Sequence, residues 1–224
     1  MIALCLDHAA RADAGAFTND QLRTLKREGR DRATAIRGRF DWMRRDLLAV
    51  VGGNFYYEQR LILRINDRPC IWFNRDDHGF LLLNFDMPSV ASEARARIRD
   101  NDWIIPPDAA DVECPPRGRT LDIPYANKDR LKFEFFTLES RENFAARYPD
   151  VSTSLWISAI PFPSTGVEIS EKASGTIIEF GPRYTRIAHG AQISNTLVDR
   201  NTGPAIQLSV SAHDFSLLHL DAEE

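Results

Sequence analysis

Leu61-Ile62-Leu63-Arg64-Ile65, Asn66-Asp67-Arg68-Pro69, Cys70-Ile71-Trp72-Phe73 and, after Asp76-Asp77-His78-Gly79, Phe80-Leu81-Leu82-Leu83-Asn84-Phe85 form the stretch that decides the fold. Three apolar runs rich in aromatic and branched side chains alternate with two clusters of turn-forming residues. This pattern predicts an antiparallel β-meander, with Gly79 able to take the positive φ of a tight turn. The runs are almost continuously apolar, so the sheet is expected to be covered on both faces. His78 beside Asp76 and Asp77 invites a metal or acid–base reading. Turn chemistry accounts for all three, since Asp and His tolerate left-handed backbone and hydrogen-bond locally.

On the N-terminal side, Ile36, Phe40, Met43, Leu47 and Val51 recur at helical spacing, and Gly52-Gly53 supplies a stop. A helix is therefore predicted over Ala33–Val51. Before it, Thr18-Asn19-Asp20-Gln21 reads as a capping box, which predicts a helix from Asn19 to Glu28 that stops near Gly29. These two helices are expected to cover one face of the meander. The region is locally basic. Arg23, Lys26 and Arg27 on the first helix, with Arg37, Arg44 and Arg45 on the second, are the candidate nucleic-acid contacts, and such cations give salt-sensitive, sequence-blind affinity. Arg39 adds to the same basic character. Glu28, Asp31, Asp41 and Asp46 lie among them, which favours a solvated, charge-balanced face. Trp42 reads as a packing residue, because no aromatic neighbour accompanies it on the basic side.

On the C-terminal side, the stretch from Pro88 to Asp102 reads as a short helix or an outward loop, and Trp103-Ile104-Ile105 ends at a Pro pair. Leu121-Asp122-Ile123 and Leu131-Lys132-Phe133-Glu134-Phe135-Phe136 read as two strands joined across Asn127-Lys128-Asp129. Ser140 opens a short helix, Arg141–Arg147, which closes before Pro149. Short strands follow at Leu155-Trp156-Ile157, Gly166–Ile169, Gly175–Phe180, Ala191–Ile193 and Ala205–Leu208, separated by Gly-containing turns. The expected fold class is α+β, mainly β: two N-terminal helices packed on an antiparallel meander, then a C-terminal run of short strands forming a sandwich or a short β-solenoid. Residues 1–53 form the helical part and residues 54–220 the β-rich part.

A net charge of −4 argues against a protein that coats nucleic acid through its overall charge, although a local basic face remains compatible with it. The three cysteines, Cys5, Cys70 and Cys114, are widely spaced and odd in number, which suits a reducing compartment better than a disulfide scaffold. No apolar run approaches the roughly 20 residues that cross a bilayer, and the start lacks the pattern of a signal peptide. A cytoplasmic location with no membrane partner is the expectation. Phosphate loops, nucleophile elbows and H-E-x-x-H or paired-Cys motifs are absent from the β-rich part.

The N-terminal segment carries the one specific motif. Cys5 and His8 stand at C-x-x-H spacing, suited to half of a tetrahedral zinc site, and Asp13, Gly15, Phe17, Thr18, Leu22 and Lys26 follow in register. Residues 2–27 resemble the closing segment of the HNH endonuclease motif, as found in bacterial proteins that join it to a further domain of unknown role. The resemblance implies zinc and a divalent catalytic ion in an intact member. Here the family's second His is replaced by Ala9, whose methyl group cannot ligate a cation. The Cys pair, the activating Asp-His or His-His and the central Asn would lie before Met1. Phosphodiester hydrolysis needs both the ion and the base. The expectation is thus a truncated or degenerate HNH-family chain, inactive as a nuclease and binding no cofactor. Cys5 and His8 would be half of a vestigial zinc site, and DNA contact through the basic helices is the activity that could survive. The alternative is a non-catalytic β-rich binding or structural module with no nucleic-acid role.

Overall fold

The structure, a computed structural model, describes residues 12–32, 35–91, 94–115, 119–187 and 190–211. Helix α1 is Asn19–Arg32. It opens with the reciprocal cap expected from the sequence: the Gln21 backbone N–H donates to Thr18 Oγ1 at 3.2 Å, and the Thr18 N–H to Gln21 Oε1 at 2.9 Å. The helix runs on through Gly29, so that residue does not end it.

No helix spans Ala33–Val51, which corrects the sequence expectation: Ile36–Arg39 is strand β1 and Leu48–Val51 is strand β2. The same residues satisfy a period of two. Arg37 and Arg39 are exposed while Ile36 and Gly38 turn inward, and a Cβ on Gly38 would lie 2.1 Å from the Trp103 ring. In β2, Ala49 and Val51 enter one core while Leu48 and Val50 enter another, a burial on both faces that a surface helix does not offer. Gly52 and Gly53, both at positive φ, form the hairpin turn into β3, Asn54–Tyr57.

The meander is present as β4 (Leu61–Ile65), β5 (Arg68–Arg75) and β6 (Leu81–Asp86), paired antiparallel in that order. Its second turn uses the expected chemistry, with Asp76 Oδ1 accepting the N–H groups of His78 and Phe80 at 2.9 and 2.8 Å. The stretch expected as helix or loop instead holds β7, Arg97–Arg99, which pairs with β8, Asp102–Ile105, across Asp100-Asn101. The hairpin of β9 (Thr120–Pro124) and β10 (Arg130–Leu138) and the helix α2 (Arg141–Arg147) stand where the sequence put them. Leu155–Ala159 is a 3-10 turn rather than a strand, preceded by another at Pro149–Val151. The last strands are β11 (Ser164–Lys172), β12 (Ile178–Phe180), β13 (Thr185–Ile187), β14 (Ala191–Ile193), β15 (Leu197–Asp199) and β16 (Ile206–Leu208).

The strands make two mixed sheets. One runs β1-β8-β7-β6-β5-β4-β16; in the other, β9-β10-β11-β2-β3-β15 is continuous and β12, β13 and β14 extend from the far end of β11. Their inner faces share one core, with Leu63, Ile71, Phe85 and Trp103 against Phe133, Val167, Ile169 and Phe180. The meander is therefore buried by a second sheet and not by a pair of N-terminal helices, which corrects the expected architecture. Sheets satisfy each other's continuous apolar faces over a larger area than two helices can.

Nor do the C-terminal strands form a separate sandwich or solenoid. β15 adds to β3 and β16 to β4, both parallel, so the tail closes one edge of each sheet. The chain switches sheets at the same corner twice, once between β3 and β4 and once between β15 and β16. The buried Gln59 ties the two crossings together: its amide donates to the Leu61 and Gly203 carbonyls at 2.7 Å and accepts the Asn201 N–H at 3.0 Å.

The outer face of the second sheet carries its own cover. Phe144, Val151, Ile157 and Ile160 from the helical segment after β10 pack on Leu48, Val50, Phe55, Phe136 and Leu138. Arg147 fastens this layer, donating to Glu134 Oε1 and Glu168 Oε2, each at 2.8 Å, over the Phe136 ring. Among the described residues no helix is long and apolar enough to cross a membrane.

Candidate functional site

β1 is an edge strand, and past Arg39 the chain leaves it as Phe40-Asp41-Trp42. Backbone bonds hold this segment against the first sheet: the Phe40 N–H donates to the Asn101 carbonyl at 3.0 Å, and the Arg44 carbonyl accepts the Leu81 N–H at 2.7 Å. Its rings turn toward β10. Phe40 lies 4.9 Å from Phe135 edge-on, and Trp42 lies 5.2 Å from the same ring. On the opposite side the chain enters β9 at Arg119, whose carbonyl accepts the Phe135 N–H at 2.7 Å.

Between these walls lies a groove of about 450 Å³, with Arg39, Arg44, Arg119 and Asp41 on its rim and Phe40, Trp42 and Phe135 beneath them. Its volume is in the range of small-molecule sites. Arg39 is ion-paired with Asp102 at 3.2 Å, and the Arg44 guanidinium reaches only its neighbour's carbonyl, Met43 O, at 2.9 Å. Among the described residues the side chains of Arg119 and Asp41 have no hydrogen-bond or ion-pair partner. Cys114 also lines the groove, and burial pushes its thiol up, which keeps it neutral rather than nucleophilic.

Of the six cations named from the sequence, Arg44 alone lines this groove. The three on α1 have partners on the chain itself: Arg23 with Asp20 at 3.1 Å, Lys26 with Asp111 at 2.8 Å, and Arg27 with Thr24 Oγ1 at 3.4 Å. The hydrogen bond from Lys26 to Asp111 holds that ammonium above its ordinary range. Arg37 points outward from β1, and Arg45 stacks over Phe80 at 4.9 Å. Cys5 and His8 lie outside the described residues. The sequence reading missed Arg119 and Phe135; Trp42 is the packing residue expected, buried against Phe73 and Phe135.

A second polar cluster is sealed in the interior. Arg95 is buried, bonds Asp108 and Asp129, and stacks over Tyr125 at 4.4 Å. Glu171 on β11 is 1% exposed, and neither of its carboxyl oxygens has a hydrogen-bond partner. Burial first, and the negative charge of Asp129 second, push its carboxyl well above the usual range. Sealed from solvent in this way, Glu171 bears on stability. Among the described residues no group of three or more His, Cys, Asp or Glu side chains is arranged to hold a metal ion.

Comparison of the chain with family models, curated proteins and solved structures produced no match.

Proposed function

We propose that this chain is a non-catalytic binding module that takes a nucleotide unit of nucleic acid in the groove between its two sheets. The observation that carries the reading is a rim of arginines, two of them without an acidic partner, beside the half-buried Phe135 ring. Guanidinium groups match phosphate oxygens in geometry and charge, while aromatic rings accept any base face. The chain's net charge of −4 leaves this attraction local. In the same reading the N-terminal residues derive from an HNH nuclease, and the chain contacts nucleic acid without cutting it.

Fluorescence anisotropy with a labelled single-stranded oligonucleotide tests the reading. Affinity is expected to fall with salt at a slope of about −0.7 per phosphate contacted. The Arg44→Ala/Arg119→Ala variant is expected to bind about a hundredfold more weakly or worse, since each lost charge-assisted bond contributes roughly 1.5–3 kcal/mol. Unchanged binding by this variant, or a flat salt response, overturns the proposal. A separate incubation with supercoiled plasmid in Mg²⁺ or Mn²⁺ is expected to yield no nicks; nicking that disappears in His8→Ala would refute the inactive-nuclease reading.

A second reading, a β-rich module with no nucleic-acid role, draws on the partners that α1 and β1 supply to their own cations, such as Asp20, Asp111 and Asp102. The same titration decides between the two.

A further inference from the structure

We propose that residues 173–177, the loop between β11 and β12, form a gate beside the interior polar cluster, held shut by the hydrogen bond from the Ser174 N–H to Asp129 and opened when Glu171 loses its proton. No residue of the arginine groove takes part.

Glu171 pairs in the sheet with Leu131 on β10 and Phe180 on β12, both fully buried, and neither of its carboxyl oxygens has a hydrogen-bond partner. The titratable groups facing it are Asp129 from the β9–β10 turn, Tyr125 just past β9, and Cys70 from β5. Burial keeps the tyrosine and the thiol neutral. Arg95, the cation of the cluster, is committed to Asp108 and Asp129. An ionised Glu171 therefore meets the negative charge of Asp129 without a donor of its own. Such a charge needs water, and water has to be let in.

Asp129 cannot retreat from that charge, because its own turn fixes it. Its N–H donates to Asn127 Oδ1 at 3.1 Å, its Oδ2 accepts from the Asn127 amide at 2.7 Å, and its carbonyl accepts the Tyr125 N–H at 2.9 Å. On the other side its Oδ1 accepts the Ser174 N–H at 2.7 Å. The Thr176 N–H and hydroxyl bond only the carbonyls of Ala173 and Ile178, within the loop and its flank. Ser174 and Gly175 are exposed, and the tip packs on Val90, which is itself 39% exposed: a Cβ on Gly175 would lie 2.6 Å from Val90 Cγ2. Exposed backbone and sparse packing mark a segment that opens locally, whereas Leu131 and Phe180 belong to core strands. The same residues form one wall of a groove of about 480 Å³, with Lys172, Glu179 and Arg186. The proton on Glu171 thus sets the shape of that groove.

The test is amide exchange of Ser174 in the intact chain, followed by NMR from about pH 4 to about pH 9 and corrected for the intrinsic rise of exchange with pH. With the loop open, Glu171 ionises at its ordinary 4.5; with it closed, burial and Asp129 hold the proton on well above that value. One proton released on opening raises the open fraction tenfold per pH unit between the two. Protection of Ser174 is expected to be level in acid, to fall tenfold per unit above pH 4.5, and to level off once the closed form has ionised too. In Glu171→Gln it is expected to stay level throughout. Phe133, in the core of β10, reports global unfolding; Ser174 is expected to exchange faster than Phe133 and, unlike it, without dependence on low urea. Level protection of Ser174 in the parent overturns the proposal without recourse to any variant. So does the same fall in Glu171→Gln, or exchange of Ser174 and Phe133 in step.

Discussion

Replacing Glu171 with glutamine is expected to stabilise the protein at neutral pH and to flatten the dependence of its stability on pH. Glu171 sits on β11 with its carboxyl fully enclosed and without a hydrogen-bond partner, facing the negative charge of Asp129. Its pKa in the fold is raised well above the ordinary value of 4.5. The folded state therefore keeps this proton over a pH range in which the unfolded chain has released it. With one more proton bound in the folded state, stability falls as pH rises, by about 1.4 kcal/mol per pH unit. The contribution is fully present below the unfolded pKa, the ordinary 4.5, and declines from there until the folded pKa is reached. Glutamine has no proton to lose and removes this slope. Urea unfolding of both proteins from pH 4 to pH 8 should give curves that lie together in acid and diverge as pH rises, with the variant above. Parallel curves would mean that Glu171 is not the group responsible.

What the sequence shows about the fold is local, and what it hides depends on residues far apart in the chain. The meander of β4, β5 and β6, the β9–β10 hairpin and α2 were legible because each is bounded by its own turn or cap: Asp76 accepting two backbone N–H groups, Asn127 bonding Asp129, and Ser140 accepting from Asn143. The segment from Ala33 to Val51 was misread because Ile36, Phe40, Leu47 and Val51 satisfy both a helical and a strand period. Met43, which the helix needed on its apolar face, is in fact 61% exposed. β16 was recognised as a strand and β15 was not, and the partners of neither could be read. Those partners are set by the corner at Gln59, whose amide bonds residues that precede β16 by several positions and follow β3 at a great distance in sequence. The groove shares this limitation. Arg44 could be named in advance, but Phe135 and Arg119 reach Trp42 only after β10 has been placed against the other sheet. A basic run in sequence does not by itself make a basic patch, since Arg23, Lys26 and Arg27 of α1 bond acids and a hydroxyl of the chain itself.

Arg95→Met is expected to cost about 3–5 kcal/mol of stability at neutral pH, because it removes the cation from a buried set of charges and leaves the acids behind. The Arg95 side chain is 4% exposed and the Asp129 side chain 1%, so neither charge can turn to water for compensation. The guanidinium bonds Asp108 on one side and Asp129 at 3.3 Å on the other, and its plane rests on Tyr125. That ring is in turn fixed by its hydroxyl, which accepts the Ala96 N–H at 2.9 Å. Methionine restores most of the volume and none of the charge, so packing alone does not account for the loss. Asp129 would keep the Asn127 amide and the Ser174 N–H, each at 2.7 Å, but these neutral donors replace only part of what a cation supplies. The double variant Arg95→Met/Asp129→Asn separates the alternatives. If the cost arises from a stranded carboxylate, neutralising Asp129 should recover a good part of it, giving a coupling energy of roughly 1–3 kcal/mol in the cycle. Removing Asp129 also removes the second influence on Glu171, so the pH at which stability stops falling should move down in the Asp129→Asn protein. Strictly additive losses in the cycle would show that Arg95 holds the fold through its contact with Tyr125, and that its charge is incidental.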